Sequence, residues 1–303
     1  MDTVAFVFAG QGEQYPGMGR DLCEASPAAK EVFDLADSIR PGTSAQCFCG
    51  TKEELSETVN TQPCVYCVDL AAAQALREAG ITPASVAGFS LGEVAALTFA
   101  GAFSQEDGFR FVCERAGRMQ AAAQQREGAM AAVLKLSAEA VENICKTFDA
   151  AYPVNYNCPG QTVVALSKER MPAFTAAVQA AKGRAVPLAV SGGFHSPFMD
   201  RAAAELLPIL EGIPMSGPRV PVYSNTTAKP YPQEMRGTLA AQVNHPVLWQ
   251  KTVETMISDG IETFIEVGPG KTLCGLIKKT APGVRVFHVE DRAGLEEVRN
   301  AGL

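Results

Sequence analysis

Hydrophobic residues along this chain occur in two kinds of run, and the alternation between them predicts the architecture. Residues 3–8 (T-V-A-F-V-F) form a short continuous apolar run, as expected of a strand covered on both faces, and residues 261–267 read as a second buried strand. Between such runs apolar positions recur every three or four residues, the period of helices packed on one side. The first part of the chain predicts a strand at 3–8 and surface helices over 20–40 and 52–59, with Pro41-Gly42 as a break. A helix over 61–79 follows, stopped by Gly80. Next come a strand ending near Ala87, an Ala-rich helix from Glu93, and a helix from Ser104 as N-cap to about Gln125. From about Glu127 the pattern changes to strands at 129–134, 152–156, 162–166 and 184–190, with helices over 137–148 and 168–181. That βαββαβ order is the pattern of a ferredoxin-like unit. Strand–helix alternation then resumes: a helix over 198–211, a strand at 220–224, helices over 233–243 and 247–258, the strand at 261–267, a helix to Lys279 and an edge strand at 284–289. The expected fold class is α/β, with a parallel-sheet domain in two segments, 1–126 and 198–303, interrupted by the insert at 127–197. No internal repeat or low-complexity segment disturbs the pattern.

Composition narrows the function. The 303 residues are 47% hydrophobic and 19% charged, an ordinary globular balance with ample chain for a core. A net charge of −7 without a Lys/Arg-rich stretch argues against a nucleic-acid partner and against an anionic membrane surface. Any anionic ligand must therefore be met by a few placed basic residues. The start lacks the basic stretch of an export signal, and no apolar run reaches membrane-spanning length, so a cytoplasmic protein is expected. Nine scattered cysteines suit reduced thiols. Cys64 and Cys67 form a C-x-x-C and Cys47 and Cys49 a C-x-C, but neither has a second ligand pair at a suitable spacing, so no metal site is expected.

Candidate chemistry sits at the strand–loop junctions. After the first strand comes Gly10-Gln11-Gly12-Glu13-Gln14. It is not a dinucleotide fingerprint, because residue 15 is Tyr, and not a phosphate loop, because no Gly-Lys-Ser/Thr follows. It does place the Gln11 amide at a sheet edge of the kind where ligands bind. Gly88-Phe89-Ser90-Leu91-Gly92-Glu93 joins a strand to a helix through G-x-S-x-G, the pattern of a nucleophile elbow. There the serine hydroxyl projects from the sheet edge and the Leu91 N–H is the nearest backbone donor to a developing oxyanion. The alternative is a glycine-rich βα turn with Ser90 as a passive N-cap. Gly268-Pro269-Gly270-Lys271-Thr272 opens a helix but has Ile265 where a phosphate loop needs glycine.

On the helix after Ser104, residues Phe111, Val112, Arg115, Met119 and Ala122 share one face, which sets Arg115 into an apolar stripe. Such a cation either snorkels to solvent or pairs structurally, or it awaits a carboxylate that it can grip with two parallel hydrogen bonds. A reactive serine needs a base. Of the three histidines, His288 lies in an edge strand and His245 in a surface loop. His195 lies in the glycine-rich junction that ends the insert, which makes it the candidate, at a seam between domains of the kind that favours binding. No acidic residue between Ser90 and His195 stands at a strand end, which argues against a standard hydrolase triad.

Taken jointly, these motifs, with Glu114-Arg115-Ala116-Gly117-Arg118-Met119-Gln120, Asn157-Cys158-Pro159-Gly160-Gln161, Gly193-Phe194-His195-Ser196 and Glu266-Val267-Gly268-Pro269-Gly270-Lys271, resemble bacterial malonyl-CoA:acyl carrier protein transacylases, collinearly over nearly the whole chain. The resemblance implies an α/β-hydrolase-like large domain with a ferredoxin-like insert and a cleft between them. It implies Ser90 as the acylated nucleophile, His195 as its base and acid, and Gln11 with the Leu91 N–H as the oxyanion hole. Arg115 would bind the malonyl carboxylate, Gln242 would orient His195 through its main-chain carbonyl, and Asn157 would lie near the cleft. The substrates would be malonyl-CoA and the phosphopantetheine thiol of acyl carrier protein, with no further cofactor and no metal. Phe89 stands where the family has histidine and bears on the polarity beside the acyl group. Phe194 resembles the malonyl-type pattern of polyketide acyltransferases, in which a bulky ring leaves little room for an α-methyl branch. Competing expectations are a trans-acting polyketide acyltransferase, a serine thioesterase or lipase with the same elbow, and a non-catalytic carrier-protein-binding subunit. Lys182, Arg184, Lys278 and Lys279 are candidates for a basic rim facing an acidic carrier protein.

Overall fold

The computed structural model describes residues 3–190 and 192–303; Met1, Asp2 and Ser191, the last within the glycine-rich junction before His195, lie outside the described residues. Its strands are β1 (Val4–Phe8), β2 (Ser85–Gly88), β3 (Gly128–Leu134), β4 (Ala151–Cys158), β5 (Gln161–Ser167), β6 (Arg184–Pro187), β7 (Val222–Tyr223), β8 (Thr263–Val267) and β9 (Arg285–Val289). They form two sheets, matching the α/β expectation. The larger has the order β7-β2-β1-β8-β9, and every neighbouring pair is parallel. Because successive side chains point to opposite faces, Val4, Phe6 and Phe8 enter one apolar core while Ala5 and Val7 enter another, around Trp249 and Phe264. Burial on both faces is what the unbroken apolar run of β1 encodes. In register, Phe8 lies beside Gly88 of β2 and Val267 of β8, so three strands finish together. The loops carrying Gln11, Ser90 and Gly268 therefore leave the sheet at one edge.

The smaller sheet has the order β4-β5-β3-β6 with every pair antiparallel, the strand arrangement of a ferredoxin-like unit. One face packs under the helices Ala138–Cys145 and Met171–Ala180 through Val133, Val141, Leu166, Phe174 and Val178. From its other face Met130, Val163 and Ala165 join the core that contains Phe6 and Phe8. Residue Val247 bridges to Asn155 in β4, with the Tyr156 N–H donating to Val247 O at 2.9 Å and the Val247 N–H donating to Val154 O at 2.8 Å. The smaller sheet is thereby joined to the larger by apolar packing, and to the segment before the helix Trp249–Ser258 by backbone hydrogen bonds.

Several elements differ from expectation for identifiable reasons. The helix expected over 20–40 is two, Arg20–Ala25 and Pro27–Ile39. Pro27 forces Ser26 into an extended conformation (φ −136°, ψ 119°), and the Ser26 hydroxyl then caps the second helix by accepting from the Ala29 N–H. A further helix, Thr43–Cys49, follows the Pro41-Gly42 break. The helix expected over 61–79 runs Thr58–Glu78 through Pro63 and is buried along nearly its whole length. The last strand of the smaller sheet ends at Pro187, short of 190, and Arg292–Asn300 adds a helix capped by Asp291 that the apolar pattern does not predict.

Candidate active site

The turn after β2 is as tight as its glycines suggest. A Cβ on Gly88 would lie 2.0 Å from the Gly92 carbonyl, and one on Gly92 would lie 2.4 Å from Phe8 O, so neither position tolerates a side chain. Between them Ser90 has φ 55°, a left-handed conformation that a serine adopts only where its surroundings hold it. Its N–H donates to Asn225 Oδ1 at 2.8 Å, and its carbonyl accepts from Gln242 Nε2 at 2.7 Å. The helix Gly92–Phe99 starts immediately afterwards, and among the described residues nothing accepts from the Leu91 N–H. That leaves a backbone donor beside the hydroxyl.

The structure brings His195 to Ser90 across 105 residues, with Nε2 2.7 Å from Oγ. His195 Nδ1 lies 2.9 Å from Gln242 O. A carbonyl only accepts, so this contact assigns the proton to Nδ1 and leaves the Nε2 lone pair facing the serine hydroxyl. The missing carboxylate of the sequence is thus replaced by a main-chain oxygen. His195 is buried, and burial together with the nearby Arg115 charge lowers its pKa to about 4. At neutral pH the imidazole is unprotonated.

Arg115 lies on the helix Gln105–Gln125, and its apolar face is buried as the pattern requires. The side chain does not snorkel: only 1% of the residue is exposed. Nη1 donates to Gln62 Oε1 at 2.7 Å, and Nη2 donates to Gln242 Oε1 at 2.8 Å and to Ser90 Oγ at 3.2 Å. The Nε–H is buried with no partner, and among the described residues no carboxylate forms an ion pair with this guanidinium. Burial lowers its pKa to about 10, opposed by the Glu93 and Tyr231 charges, and it remains cationic. A buried cation satisfied only by neutral oxygens is a site that an anion would complete.

A cavity of about 80 Å³ opens at Ser90 and His195 and is lined also by Gln11, Phe89, Phe194, Met119 and Asn155. Gln11 donates from Nε2 to Thr58 Oγ1 at 3.3 Å. The Phe89 ring meets Trp249 edge-on at 5.5 Å between centroids. A groove of about 420 Å³ continues past Gln11, Phe89 and Asn155, and Asn157 lines this groove rather than the chamber at Ser90. Both Asn155 and Asn157 have a buried Oδ1 without a partner. Of the other histidines, His245 is exposed and His288 pairs with Glu290 at 3.1 Å in the edge strand. Lys182, Arg184, Lys278 and Lys279 are all exposed. Among the described residues, no group of three or more His, Cys, Asp or Glu could hold a metal, and no helix is long and apolar enough to cross a membrane.

Sequence reasoning passed over four residues of this site. Gln62 holds Arg115, Asn155 lines the chamber, and Asn225 and Tyr231 reach the elbow from beyond β7. Glu93 stands in the elbow motif itself. It is buried, accepting from the Asn225 N–H at 2.8 Å and from the Tyr231 hydroxyl, and burial raises its pKa to about 7. A polar residue in the first turn of an otherwise apolar helix was the one available signal.

Known proteins resemble this chain over nearly its whole length. The acyl transferase domain family matches residues 5–295. The malonyl CoA-acyl carrier protein transacylase of Bacillus subtilis is 38% identical over 304 residues, covering 98% of this chain and 96% of that protein. The crystal structure of the corresponding transacylase from Clostridium perfringens superposes with a TM-score of 0.95 at 34% identity, covering 99% of this chain and 96% of the other. A malonyl-transacylase in complex with its type II PKS acyl-carrier protein gives a TM-score of 0.94 at 36% identity, covering 98% and 99%. With the match spanning nearly the whole chain in sequence and in fold, the chain belongs to the acyl transferase family, among the malonyl CoA-acyl carrier protein transacylases.

Proposed function

We propose that the chain is a malonyl-CoA:acyl carrier protein S-malonyltransferase that works in ping-pong order through an ester on Ser90. The observation that carries this reading is the convergence of Ser90 Oγ, His195 Nε2 and an arginine without a carboxylate partner at one site. Ser90 Oγ attacks the malonyl thioester carbonyl while His195 Nε2 takes its proton. The oxyanion rests on the Leu91 N–H, with Gln11 as second donor once its amide leaves Thr58; each such donor is typically worth ~10²–10³ in rate. Collapse breaks the C–S bond, and the CoA thiolate leaves with the proton from His195. The phosphopantetheine thiol of the carrier protein then attacks the Ser90 ester, His195 takes the thiol proton, and that proton returns to Ser90 Oγ as the malonyl thioester forms. The reaction uses CoA and phosphopantetheine thioesters as substrates and routes no step through a cofactor.

Arg115 grips the distal carboxylate and holds the ester against hydrolysis by fixing it and crowding the approach of water. The Arg115 hydrogen bond to Ser90 Oγ also favours the developing alkoxide. Phe194 and Phe89 bound the acyl chamber on apolar sides. One methyl group is worth about 1–3 kcal/mol in such a pocket, so the Phe194 ring biases the site toward malonyl over methylmalonyl. The groove past Asn157 admits the pantetheine arm. In this reading, residues 1–126 and 198–303 form the catalytic domain and 127–197 the inserted subdomain that closes the cleft. The exposed Lys182, Arg184, Lys278 and Lys279 meet an acidic carrier protein, and the enzyme works in the cytoplasm.

Incubation with malonyl-CoA followed by intact-mass measurement tests the reading. Wild type should gain one malonyl group, Ser90→Ala none, and added carrier protein bearing its phosphopantetheine arm should discharge the wild-type adduct. Absence of the adduct from wild type would overturn it.

A further inference from the structure

The loop that follows β7 delivers one fully buried amide to the underside of the elbow. Asn225 Nδ2 donates to Gly88 O at 2.6 Å, and Oδ1 accepts from the Ser90 N–H at 2.8 Å. The side chain thus bridges the carbonyl two residues before Ser90 and the N–H of Ser90, spanning the left-handed turn that aims the hydroxyl. Its orientation is settled by chemistry: a flipped amide would set two acceptors together at Gly88 and two donors together at Ser90. Oδ1 also accepts from Gln242 Nε2 at 3.2 Å, and the Asn225 N–H is anchored by Glu93 Oε2 at 2.8 Å. Gln242 in turn holds the Ser90 carbonyl, Arg115 and, through its own main-chain oxygen, His195. One amide therefore meets the nucleophile directly, and the base and the carboxylate-binding arginine through a single intermediary.

We propose that Asn225 is a positioning residue for acyl transfer, clamping the elbow so that Ser90 Oγ stays on the line between His195 Nε2 and the bound thioester. The inference rests on Ser90 being the acylated residue. The clamp requires a donor and an acceptor on one short side chain. Alanine removes both. Aspartate keeps the shape and the acceptor, but ionised it has no donor for Gly88 O and sets a charge against that carbonyl; protonated, it regains the O–H donor. The titratable groups facing this position are Glu93 directly, Tyr231 through Glu93, and Arg115 and His195 through Gln242 and Ser90. They are present in wild type and variant alike, so rates are compared with wild type at the same pH.

The test measures single-turnover acylation by malonyl-CoA for wild type, Asn225→Ala and Asn225→Asp between about pH 5 and 8, the span in which a carboxyl raised by burial changes charge. Displacement of a reacting atom by about 1 Å costs about 10²-fold, so Asn225→Ala should lose about that factor in the acylation rate constant. Its KM for malonyl-CoA should hold, because Arg115 is untouched. Asn225→Asp should match Ala at the alkaline end and recover toward wild type as the pH falls. If Asn225→Ala does not fold, the isosteric Asp variant carries the test alone. Wild-type acylation rates in the variants, or a loss in Asn225→Asp that is equal at every pH, overturn the clamp. Absence of a Ser90 adduct from wild type instead overturns the catalytic reading beneath it.

Discussion

Replacing Arg115 with alanine tests how much of the substrate preference one guanidinium supplies. In the free enzyme this group is buried, hydrogen-bonded only to Gln62, Gln242 and Ser90 Oγ, and its Nε–H has no partner. A malonyl carboxylate entering the chamber would form a charge-assisted pair in a desolvated setting, where removing one partner costs about 2–5 kcal/mol. That corresponds to a loss of about 30-fold to about 5,000-fold in kcat/KM for malonyl-CoA. Acetyl-CoA presents no distal carboxylate and should lose only what the disturbed Ser90 and Gln242 contacts supply. The informative quantity is therefore the malonyl-to-acetyl ratio, which should fall by about 10²-fold while the absolute acetyl rate falls much less. Arg115→Lys keeps the charge without the planar fork and should lie between the two. Competition between the two thioesters, read as the proportion of each acyl adduct by intact mass, measures the ratio directly. An unchanged malonyl preference in Arg115→Ala would refute the assignment and favour a thioesterase or lipase using the same elbow.

Two titrations follow from the buried groups. With the His195 pKa lowered to about 4, the base is neutral across the physiological range, so kcat/KM for malonyl-CoA should stay in its upper plateau until the pH falls toward 4. An inflection at the ordinary imidazole value would refute the combined effect of burial and Arg115, and Arg115→Ala should move the inflection upward by removing a neighbouring positive charge. Glu93 shifts the other way, from 4.5 to about 7. The folded state therefore holds this proton more tightly than the unfolded chain, and the stability it contributes is present below about 4.5 and lost as pH rises through about 7. Glu93→Gln should accordingly gain stability relative to wild type as the pH rises from about 5 to 8, by as much as about 3 kcal/mol in the unfolding free energy from urea titration, and a difference independent of pH would refute the shift.

The arrangement also accounts for the absence of a triad acid. A carboxylate beside His195 would stand close to Arg115 and compete with the substrate for it. Gln242 O fixes the imidazole tautomer without adding charge, and the Gln242 side chain satisfies Arg115 with a neutral oxygen. The one buried acid nearby, Glu93, points instead to Asn225 and Tyr231. The guanidinium is therefore left for an anionic guest.

What the amino-acid sequence determined by itself is whatever depends on neighbours a few residues apart. The buried runs of β1 and β8, the helical stripe that carries Arg115, and the elbow between Gly88 and Gly92 are of this kind. Each follows from side-chain period or from a backbone approach too close for a Cβ. Local rules also misplaced boundaries: the helix expected from 61 begins at Thr58, and the strand expected to 190 stops at Pro187. Packing against the rest of the chain outweighed local preference there. Only the tertiary structure decided what the site is made of, because its contacts join distant segments. His195 meets Ser90 over 105 residues, Asn225 holds Ser90 over 135, and Gln242 meets Arg115 over 127. No period or spacing encodes such contacts; they exist because the parallel sheet ends its strands at one edge and the antiparallel sheet shares its core, bringing these loops to the same place.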